Sequence, residues 1–381
     1  MTHDPFPNDQ PTTRLPVVLL TGFLGAGKTT LLNRLLAHPA LARSLVVINE
    51  IGEVGIDHLL VSTPRENMRL LENGCLCCEM RGDLVETLEG ALALWRDRTA
   101  PPFDRVLVET TGLADPVPIL QTLVADERLA RHFRLSRTIV VVDAVHAVSQ
   151  LETHPEAVKQ VIVGDLLLLS KCDLAGDLHA TGLHERLQAL NPGAERLVVD
   201  RGRLPEGLLQ RLGRDADPRP ADIARWLDVE VARGTGLPMA GSLPRFVERP
   251  MRFRHAEQTR SFSFRLKVPA TRTGLAVWLG LLARSKGEHL LRMKGIVNME
   301  GSPVVVHSVQ SIVHDPETLP AWPDEDHDTR LVFIGRGLDP AEIERSLDAL
   351  GMPDVPAAPA VPAAFDAAAY EQFRKAAQGF R

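Results

Sequence analysis

The chain has 381 residues, of which 44% are hydrophobic, and its 43 Lys and Arg against 49 Asp and Glu give a formal net charge of -6. At ~100–200 residues per domain, this length allows two or three domains with ordinary cores. A mildly acidic chain gives no electrostatic reason to expect a nucleic acid or an anionic membrane as its main partner, because phosphate-rich surfaces bind basic faces.

The N-terminal segment and the cysteines indicate the compartment. The first residues are polar and interrupted by proline, and no apolar run in the chain approaches the ~20 residues that a bilayer crossing needs. Cys75, Cys77 and Cys78 lie too close in sequence to make good disulfide partners for one another, which suits a reducing compartment. We therefore expect a cytoplasmic protein without a membrane span.

Short apolar runs alternate with helical patterns through the first half of the chain. The runs are rich in Val, Ile and Leu without polar alternation, as expected of strands buried on both faces. Helical periodicity separates them, for example at 29–37, 82–95 and 180–190. This alternation predicts an α/β fold with a doubly wound, mostly parallel sheet. The predicted strands are 15–21, 44–50, 67–72, 105–110, 138–143, 165–170 and 195–200.

The second half predicts a different kind of domain. Residues 206–258 carry many Arg, Pro and Gly and one predicted helix, and we interpret them as a linker between a first domain at 14–205 and a small α+β C-terminal domain at 259–350. Residues 1–13 are expected to be disordered, and 351–381 a mobile tail with a short helix. The elements predicted after residue 205 are helices at 220–231, 273–284, 339–350 and 366–377 and strands at 260–268, 289–299, 303–309 and 330–335.

A glycine-rich loop, GFLGAGKT at 22–29, follows the first predicted strand and precedes a helical pattern. Its spacing of two glycines, a lysine and a hydroxyl residue matches a phosphate-binding loop, or P-loop. Glycines let backbone N–H groups surround phosphate oxygens, and the helix N-terminus adds its dipole. The loop predicts a bound nucleoside triphosphate, with Lys28 at the β- and γ-phosphates and Thr29 on Mg²⁺. The predicted nucleotide-binding residues of the loop are Gly22, Gly25, Ala26, Gly27, Lys28, Thr29 and Thr30.

A second element of the phosphate site is predicted at RVLVETTG, where a strand ends in Glu109 and Gly112 follows. An acid at the tip of a neighbouring strand holds Mg²⁺ or lies near the attacking water, and a glycine just beyond it offers its N–H to the γ-phosphate. We predict that 109–116 is the second switch. Glu50 and Glu53, in a first switch over 50–57, are alternatives for positioning the water.

LLLLSKCDL predicts the base-binding segment. A carboxylate such as Asp173 pairs with the N1–H and N2–H₂ donors of guanine, and the stem of Lys171 would pack on the purine. GTP-binding proteins usually carry Asn before this lysine, and Ser170 stands there instead. A Lys-x-Asp match also arises by chance, but its position after a sheet strand favours guanine.

The segment GCLCC places Cys75, Cys77 and Cys78 in a turn after a predicted strand. Thiolates are strong ligands for Zn²⁺ and Cu⁺. A nearby oxygen or nitrogen donor could complete the site, and Glu53 and His146 are the candidates. A redox pair and buried structural cysteines are the competing interpretations.

The segments GFLGAGKTT, NEIGEVGID, NGCLCC, ETTGLADP, VVDAVHA and SKCDL, in this order, resemble the CobW-like P-loop GTPases. LLRMKGIVNMEG, VVVHSVQSIV and TRLVFIGRGLD resemble the C-terminal domain of the same family, so that the resemblance covers roughly residues 15–350. It is strongest with the YjiA-type branch, in which Glu53 and His146 look like residues implicated in metal binding. The family's cysteine motif, carried onto Cys75, Cys77 and Cys78, is its Zn²⁺ (or Co²⁺) site.

The resemblance implies a slow GTPase that uses GTP, Mg²⁺ and Zn²⁺ and acts as a metallochaperone or metal-insertion factor for a client metalloprotein. The residues proposed to act in hydrolysis are Lys28, Glu109 and Glu50, and we expect nucleotide state to change the affinity of the cysteines for metal. The C-terminal domain is expected to contact the client, and the oligomeric state stays open, a homo-oligomer included. The rival interpretations are a GTP-regulated binding module with a structural metal and a P-loop kinase of small molecules.

Overall fold

The computed structural model describes residues 14–49, 68–71, 79–175, 177–199, 203–212, 247–250, 259–314, 316–354 and parts of 371–378. The chain divides into two compact units, residues 1–217 and 218–381. The predictions for residues 1–13, for a helix at 220–231 and for most of the tail lie outside the described residues.

The first unit contains a sheet in which every pair of neighbouring strands is parallel, in the order β3-β2-β4-β1-β5-β6-β7. This confirms the predicted doubly wound α/β fold. Because the strands are parallel, all their carboxyl ends lie at one edge of the sheet, which is where such folds bind ligands. The strands are β1 (Leu15–Thr21), β2 (Ser44–Asn49), β3 (Met68–Leu71), β4 (Arg105–Thr110), β5 (Phe133–Asp143), β6 (Leu166–Ser170) and β7 (Glu195–Val198).

Strand β5 begins earlier than the sequence pattern predicts. Its first part pairs with β1, for example Leu15 with Phe133 and Val17 with Leu135, and the register shifts between Val17 and Val18. Ser136 and the arginines of this part interrupt the apolar run, and for that reason the hydrophobic pattern locates only the second part of the strand.

Helices connect the strands of the first unit and cover the sheet. The apolar side of the first helix, with Leu31, Leu32 and Leu35, packs against Val18 and Leu20 of β1 in one buried cluster. Burial of these side chains stabilises the helix that carries the glycine-rich loop at its N-terminus. The helices are α1 (Lys28–Leu36), α2 (Glu79–Arg96), α3 (Val117–Ala125), α4 (Glu127–Ala130), α5 (Ala147–Thr153), α6 (Pro155–Val163), α7 (Asp177–Leu190) and α8 (Leu208–Arg211).

The second unit is an antiparallel sheet in the order β12-β11-β10-β14-β9-β8, with β13 paired to β11. Phe262, Phe264, Phe333 and Trp278 form its aromatic core, and the indole N–H of Trp278 donates to Ser346 Oγ at 3.0 Å. The elements are β8 (Val247–Pro250), β9 (Thr259–Leu266), α9 (Arg272–Lys286), β10 (Leu290–Met299), β11 (Ser302–Val309), β12 (Ile312–Val313), β13 (Glu317–Thr318), β14 (Thr329–Arg336) and α10 (Pro340–Ser346).

Strand β8 lies within the segment 206–258 that the sequence pattern indicates as a linker. It pairs antiparallel with β9, so the second sheet begins before residue 259. An edge strand hydrogen bonds to the sheet on one side only and therefore tolerates a proline. With Glu, Arg and Pro in four residues, β8 offers no apolar run for the hydrophobic pattern to detect.

Candidate nucleotide site

The glycine-rich loop connects the end of β1 to the start of α1. Gly22 has φ 144°, and a Cβ on it would lie 2.3 Å from the carbonyl oxygen of Val141 on β5. Gly27 has φ 94° and is the N-cap residue of α1. A side chain at either position would clash or be strained, so the sequence needs glycine for the loop to turn this tightly. Thr30 follows within the first turn of α1 and is exposed.

Lys28 lies over this loop with its side chain largely buried. Its Nζ donates to the carbonyl oxygens of Gly22 at 2.9 Å and Phe23 at 3.3 Å. The ammonium group is thus held at the centre of the loop, together with the N-terminus of α1. Both are sources of positive potential for phosphate oxygens.

Thr29 and Glu109 come together from different elements. Parallel pairing sets Leu20 of β1 opposite Glu109 of β4, and the Thr29 hydroxyl donates to Glu109 Oε1 at 2.9 Å. A hydroxyl and a carboxylate in contact beside a phosphate loop are oxygen donors of the type that Mg²⁺ takes. The described residues therefore fit the ion that the sequence predicts.

Gly112 packs directly against the glycine-rich loop. A Cβ at this position would lie 2.6 Å from Leu24 Cδ2 and 2.7 Å from Leu24 N. The segment that we predicted as the second switch therefore touches the phosphate loop. The sequence pattern did not predict the two residues of α6 that hold this segment, Lys159 and Gln160.

The base segment is tied to the loop by two side chains. The Ser170 hydroxyl lies 2.8 Å from the carbonyl oxygen of Ala26 and 3.3 Å from that of Val142. Lys171 Nζ donates to the carbonyl oxygen of Gly25 at 2.8 Å. Ser170, which replaces the usual Asn, thus connects β6 to the phosphate loop through its own hydroxyl. Asp173 follows and is exposed, as an acceptor for a base must be.

Asp143, at the end of β5, is a further member of this network that the sequence analysis did not assign. Its Oδ2 accepts from Lys171 Nζ at 2.7 Å and lies 3.0 Å from His146 Nδ1, and its Oδ1 accepts from the N–H of Val145 at 2.9 Å. Burial raises the pKa of the Asp143 carboxyl, but the hydrogen bonds from Lys171, His146 and Val145 outweigh it and hold the pKa below its usual range. Lys171 has φ 57°, an uncommon conformation that occurs at functional positions.

The residues predicted for the transition-metal site are only partly described. Cys75, Cys77, Cys78, Glu50 and Glu53 lie outside the described residues, and among the residues that the structure does describe, no group of three or more His, Cys, Asp and Glu side chains could hold a metal.

His146 is described, with 64% of its side chain exposed and its Nδ1 facing Asp143. Zinc-binding histidines often bond a carboxylate through their second ring nitrogen. The strand order, however, places β5 four positions from β3, the strand that precedes the cysteines. At ~4.8 Å per strand this is about 19 Å, whereas the four residues from Leu71 to Cys75 span at most ~14 Å. A shared ion between His146 and the cysteines stays a prediction.

A parallel sheet whose first strand runs into a glycine-rich loop, with Lys28, Thr29 and Glu109 at that loop and Lys171 beside it, defines a P-loop nucleotide-binding protein. None of the helices in the described part of the chain is long and apolar enough to span a bilayer.

Comparison with known proteins gives the family. Residues 16–198 match the model of the CobW/HypB/UreG nucleotide-binding domain, and residues 259–351 match that of the cobalamin synthesis protein cobW C-terminal domain. The chain is 33% identical over 340 residues to the zinc chaperone YjiA of Escherichia coli, covering 88% of this chain and 98% of the relative. It is 31% identical to the zinc chaperone CobW of Pseudomonas aeruginosa over 361 residues, covering 88% and 91%.

A solved structure agrees with the sequence comparison. The zinc-bound YjiA GTPase of E. coli superposes with a TM-score of 0.57 at 27% identity, over 89% of this chain and 99% of that one. This chain therefore belongs to the CobW family of P-loop proteins, and the predicted membership is confirmed.

Proposed function

We propose that this protein is a GTPase that binds zinc and passes it to a client metalloprotein, with GTP binding and slow hydrolysis controlling the metal. Its similarity to zinc chaperones along most of its length supports this function. The structural observation that carries the proposal is the order of the strands. It places β3, the strand before the cysteine motif, next to β2, the strand before the predicted first switch.

The phosphates of GTP would lie on the loop at 22–29. Lys28 Nζ would exchange its hydrogen bonds to the carbonyl oxygens of Gly22 and Phe23 for bonds to the β- and γ-phosphates. Thr29 and Glu109 would hold Mg²⁺, which supplies charge neutralisation on these phosphates when bound. Glu109 or Glu50 would orient the attacking water, and the N–H of Gly112 would bond the γ-phosphate.

Guanine would be selected at the other side of the loop. Lys171 is anchored between Gly25 and Asp143, so its stem is fixed in place as a surface for the purine. Asp173 would accept from the two nitrogen donors that guanine presents and adenine lacks. The predicted consequence is a strong preference for GTP over ATP.

The metal cargo would be bound by Cys75, Cys77 and Cys78, with Glu53 or another donor completing the site. Strand β2 ends at Asn49, just before the predicted first switch, and its neighbour β3 ends at Leu71, just before the cysteine motif. Parallel neighbours lie ~4.8 Å apart. A first switch that rearranges with the γ-phosphate would therefore move beside the zinc ligands, and zinc would shift nucleotide affinity by the same factor.

The second unit is our candidate for contact with the client, since the residues assigned above to nucleotide and zinc all lie in the first unit. If the second unit contacts the client, substitutions on the surface of that unit should leave the GTP hydrolysis rate unchanged and abolish zinc transfer to an acceptor protein. Equal transfer rates would instead place client contact on the first unit.

Zinc titration with each nucleotide state tests the coupling. We expect the zinc affinity of the protein with a non-hydrolysable GTP analogue to differ at least ~5-fold from that with GDP. Cys77→Ser with Cys78→Ser should abolish tight zinc binding and keep GDP binding, whereas Cys172→Ser, at the one other cysteine of the chain, should change neither. His146→Ala in the same titration tests whether this histidine is a ligand.

Two outcomes would contradict the proposal. Equal zinc affinity in both nucleotide states would leave two unrelated sites in one chain. Unfolding of the protein when a chelator removes zinc would instead indicate a structural metal, because a chaperone must stay folded without its cargo.

A further inference from the structure

Helix α6 contacts the second switch through a buried glutamine. Gln160 is 1% exposed, and its Nε2 donates to two backbone carbonyl oxygens, those of Gly112 and Ala114, both at 3.1 Å. The amide group thus uses both of its N–H donors on one short segment of chain. A buried side chain that bonds two carbonyls of a loop fixes the position of that loop more firmly than a surface contact does.

The residue before Gln160 holds the other end of the same segment. Lys159 Nζ pairs with Asp115 Oδ2 at 2.6 Å, and Asp115 Oδ1 accepts from the backbone N–H of Val117 at the start of α3. Successive residues of α6 therefore anchor residues 112–115. Leu113, between the two carbonyls bound by Gln160, is 53% exposed, so the only hydrophobic side chain buried within residues 112–115 is the small one of Ala114.

The same segment also touches the phosphate loop. The contact between Gly112 and Leu24 leaves no room for even one additional carbon atom. Gly112 therefore contacts both Leu24 and the amide of Gln160. The Gly112 N–H lies one peptide unit before the carbonyl that Gln160 bonds, so a displacement of Gly112 as a whole toward or away from a γ-phosphate would stretch or break that bond.

We propose that Gln160 is a positioning residue for GTP hydrolysis, which acts by fixing the place of the Gly112 N–H relative to the γ-phosphate. The inference rests on the proposed GTPase function and adds to it a residue that does not touch the nucleotide. Because GDP has no γ-phosphate, Gln160 should affect the binding of GTP and its hydrolysis and leave GDP binding nearly unchanged. That difference separates positioning from a general contribution to folding.

Replacement of Gln160 by Leu keeps the size of the side chain and removes both donors. For Gln160→Leu we expect kcat to fall about tenfold and the affinity for a non-hydrolysable GTP analogue to fall by a similar factor, with GDP affinity within about twofold of wild type. Gln150→Leu is the matched control, since Gln150 on α5 lines the same small cavity as Gln160 and contributes no bond to residues 112–115 among those described.

Gln160→Glu adds a test that distinguishes hydrogen bonding by this side chain from its packing. A buried carboxyl facing two carbonyl oxygens has a raised pKa. When protonated it can donate one hydrogen bond to the loop, and when ionised it repels the carbonyls. The kcat of Gln160→Glu relative to wild type should therefore rise as pH falls from ~8 to ~6, and this profile decides the question if Gln160→Leu does not fold.

The inference is overturned by a Gln160→Leu variant with wild-type kcat, or by one in which GDP and the GTP analogue lose affinity to the same extent. A pH-independent loss in Gln160→Glu would also overturn it. Wild-type protein that neither binds nor hydrolyses GTP is a separate outcome, because it would refute the proposed function itself.

Discussion

Replacing Ser170 by alanine tests how the base segment holds the phosphate loop. The Ser170 hydroxyl lies 2.8 Å from the carbonyl oxygen of Ala26 and 3.3 Å from that of Val142. One hydroxyl proton serves one acceptor at a time, and the shorter distance favours Ala26. Because the residue is buried, water cannot readily replace the lost donor.

The magnitude follows from this geometry. Leaving the buried Ala26 carbonyl without its hydrogen bond raises the free energy of this loop conformation by ~1–2 kcal/mol. That corresponds to a factor of about 5–30 in an equilibrium constant. The Ala26 carbonyl belongs to the loop that both GDP and GTP would use. Ser170→Ala should therefore weaken the binding of both nucleotides by about tenfold and leave the ratio of their affinities unchanged.

Fluorescent GDP and a fluorescent non-hydrolysable GTP analogue measure both affinities, with thermal unfolding recorded alongside. Ser170→Thr is the matched control: it keeps the hydroxyl, suits a strand and should bind nearly as wild type does. Binding of both nucleotides by Ser170→Ala within twofold of wild type would refute the reasoning, since the hydroxyl would then not support the loop.

Two other substitutions test the remaining parts of the site. Gly112→Ala should reduce kcat at least tenfold, because the new Cβ would meet the backbone of Leu24 at 2.7 Å. The control is Gly90→Ala, where a Cβ meets nothing within 4 Å, and this variant should keep the wild-type rate. Equal rates in both variants would argue against the close contact. For Asp143→Asn we expect a lower Tm than wild type at pH 7, since the depressed pKa of Asp143 contributes stability above its unfolded pKa of ~3.9. This contribution is lost as pH falls through the lower folded-state pKa, so the Tm difference should shrink below pH ~4, and a constant difference would contradict the assignment.

The amino-acid sequence by itself determined the elements of the first unit and the phosphate loop. Buried parallel strands require continuous apolar runs, and a phosphate loop requires glycine, lysine and a hydroxyl residue at fixed spacing, so both leave local patterns. The same local logic predicted Glu109 and Lys171 as site residues, because each ends or follows such a strand, and the structure places both beside the loop. The hydrophobic pattern missed the strand segments that do not need continuous apolar side chains, namely the polar first part of β5 and the edge strand β8.

Only the tertiary structure decided which side chains act on one another across the site. Gln160 is 48 residues from Gly112 in sequence, and Ser170 is 144 residues from Ala26. Each contact exists because parallel register brings the ends of separate strands, and the helices between them, to one edge of the sheet. No local pattern marks a buried glutamine on an otherwise apolar helix face as a partner of a loop 48 residues away. The roles that we propose for Gln160 and Ser170 rest on what these side chains touch, and that depends on the fold as a whole.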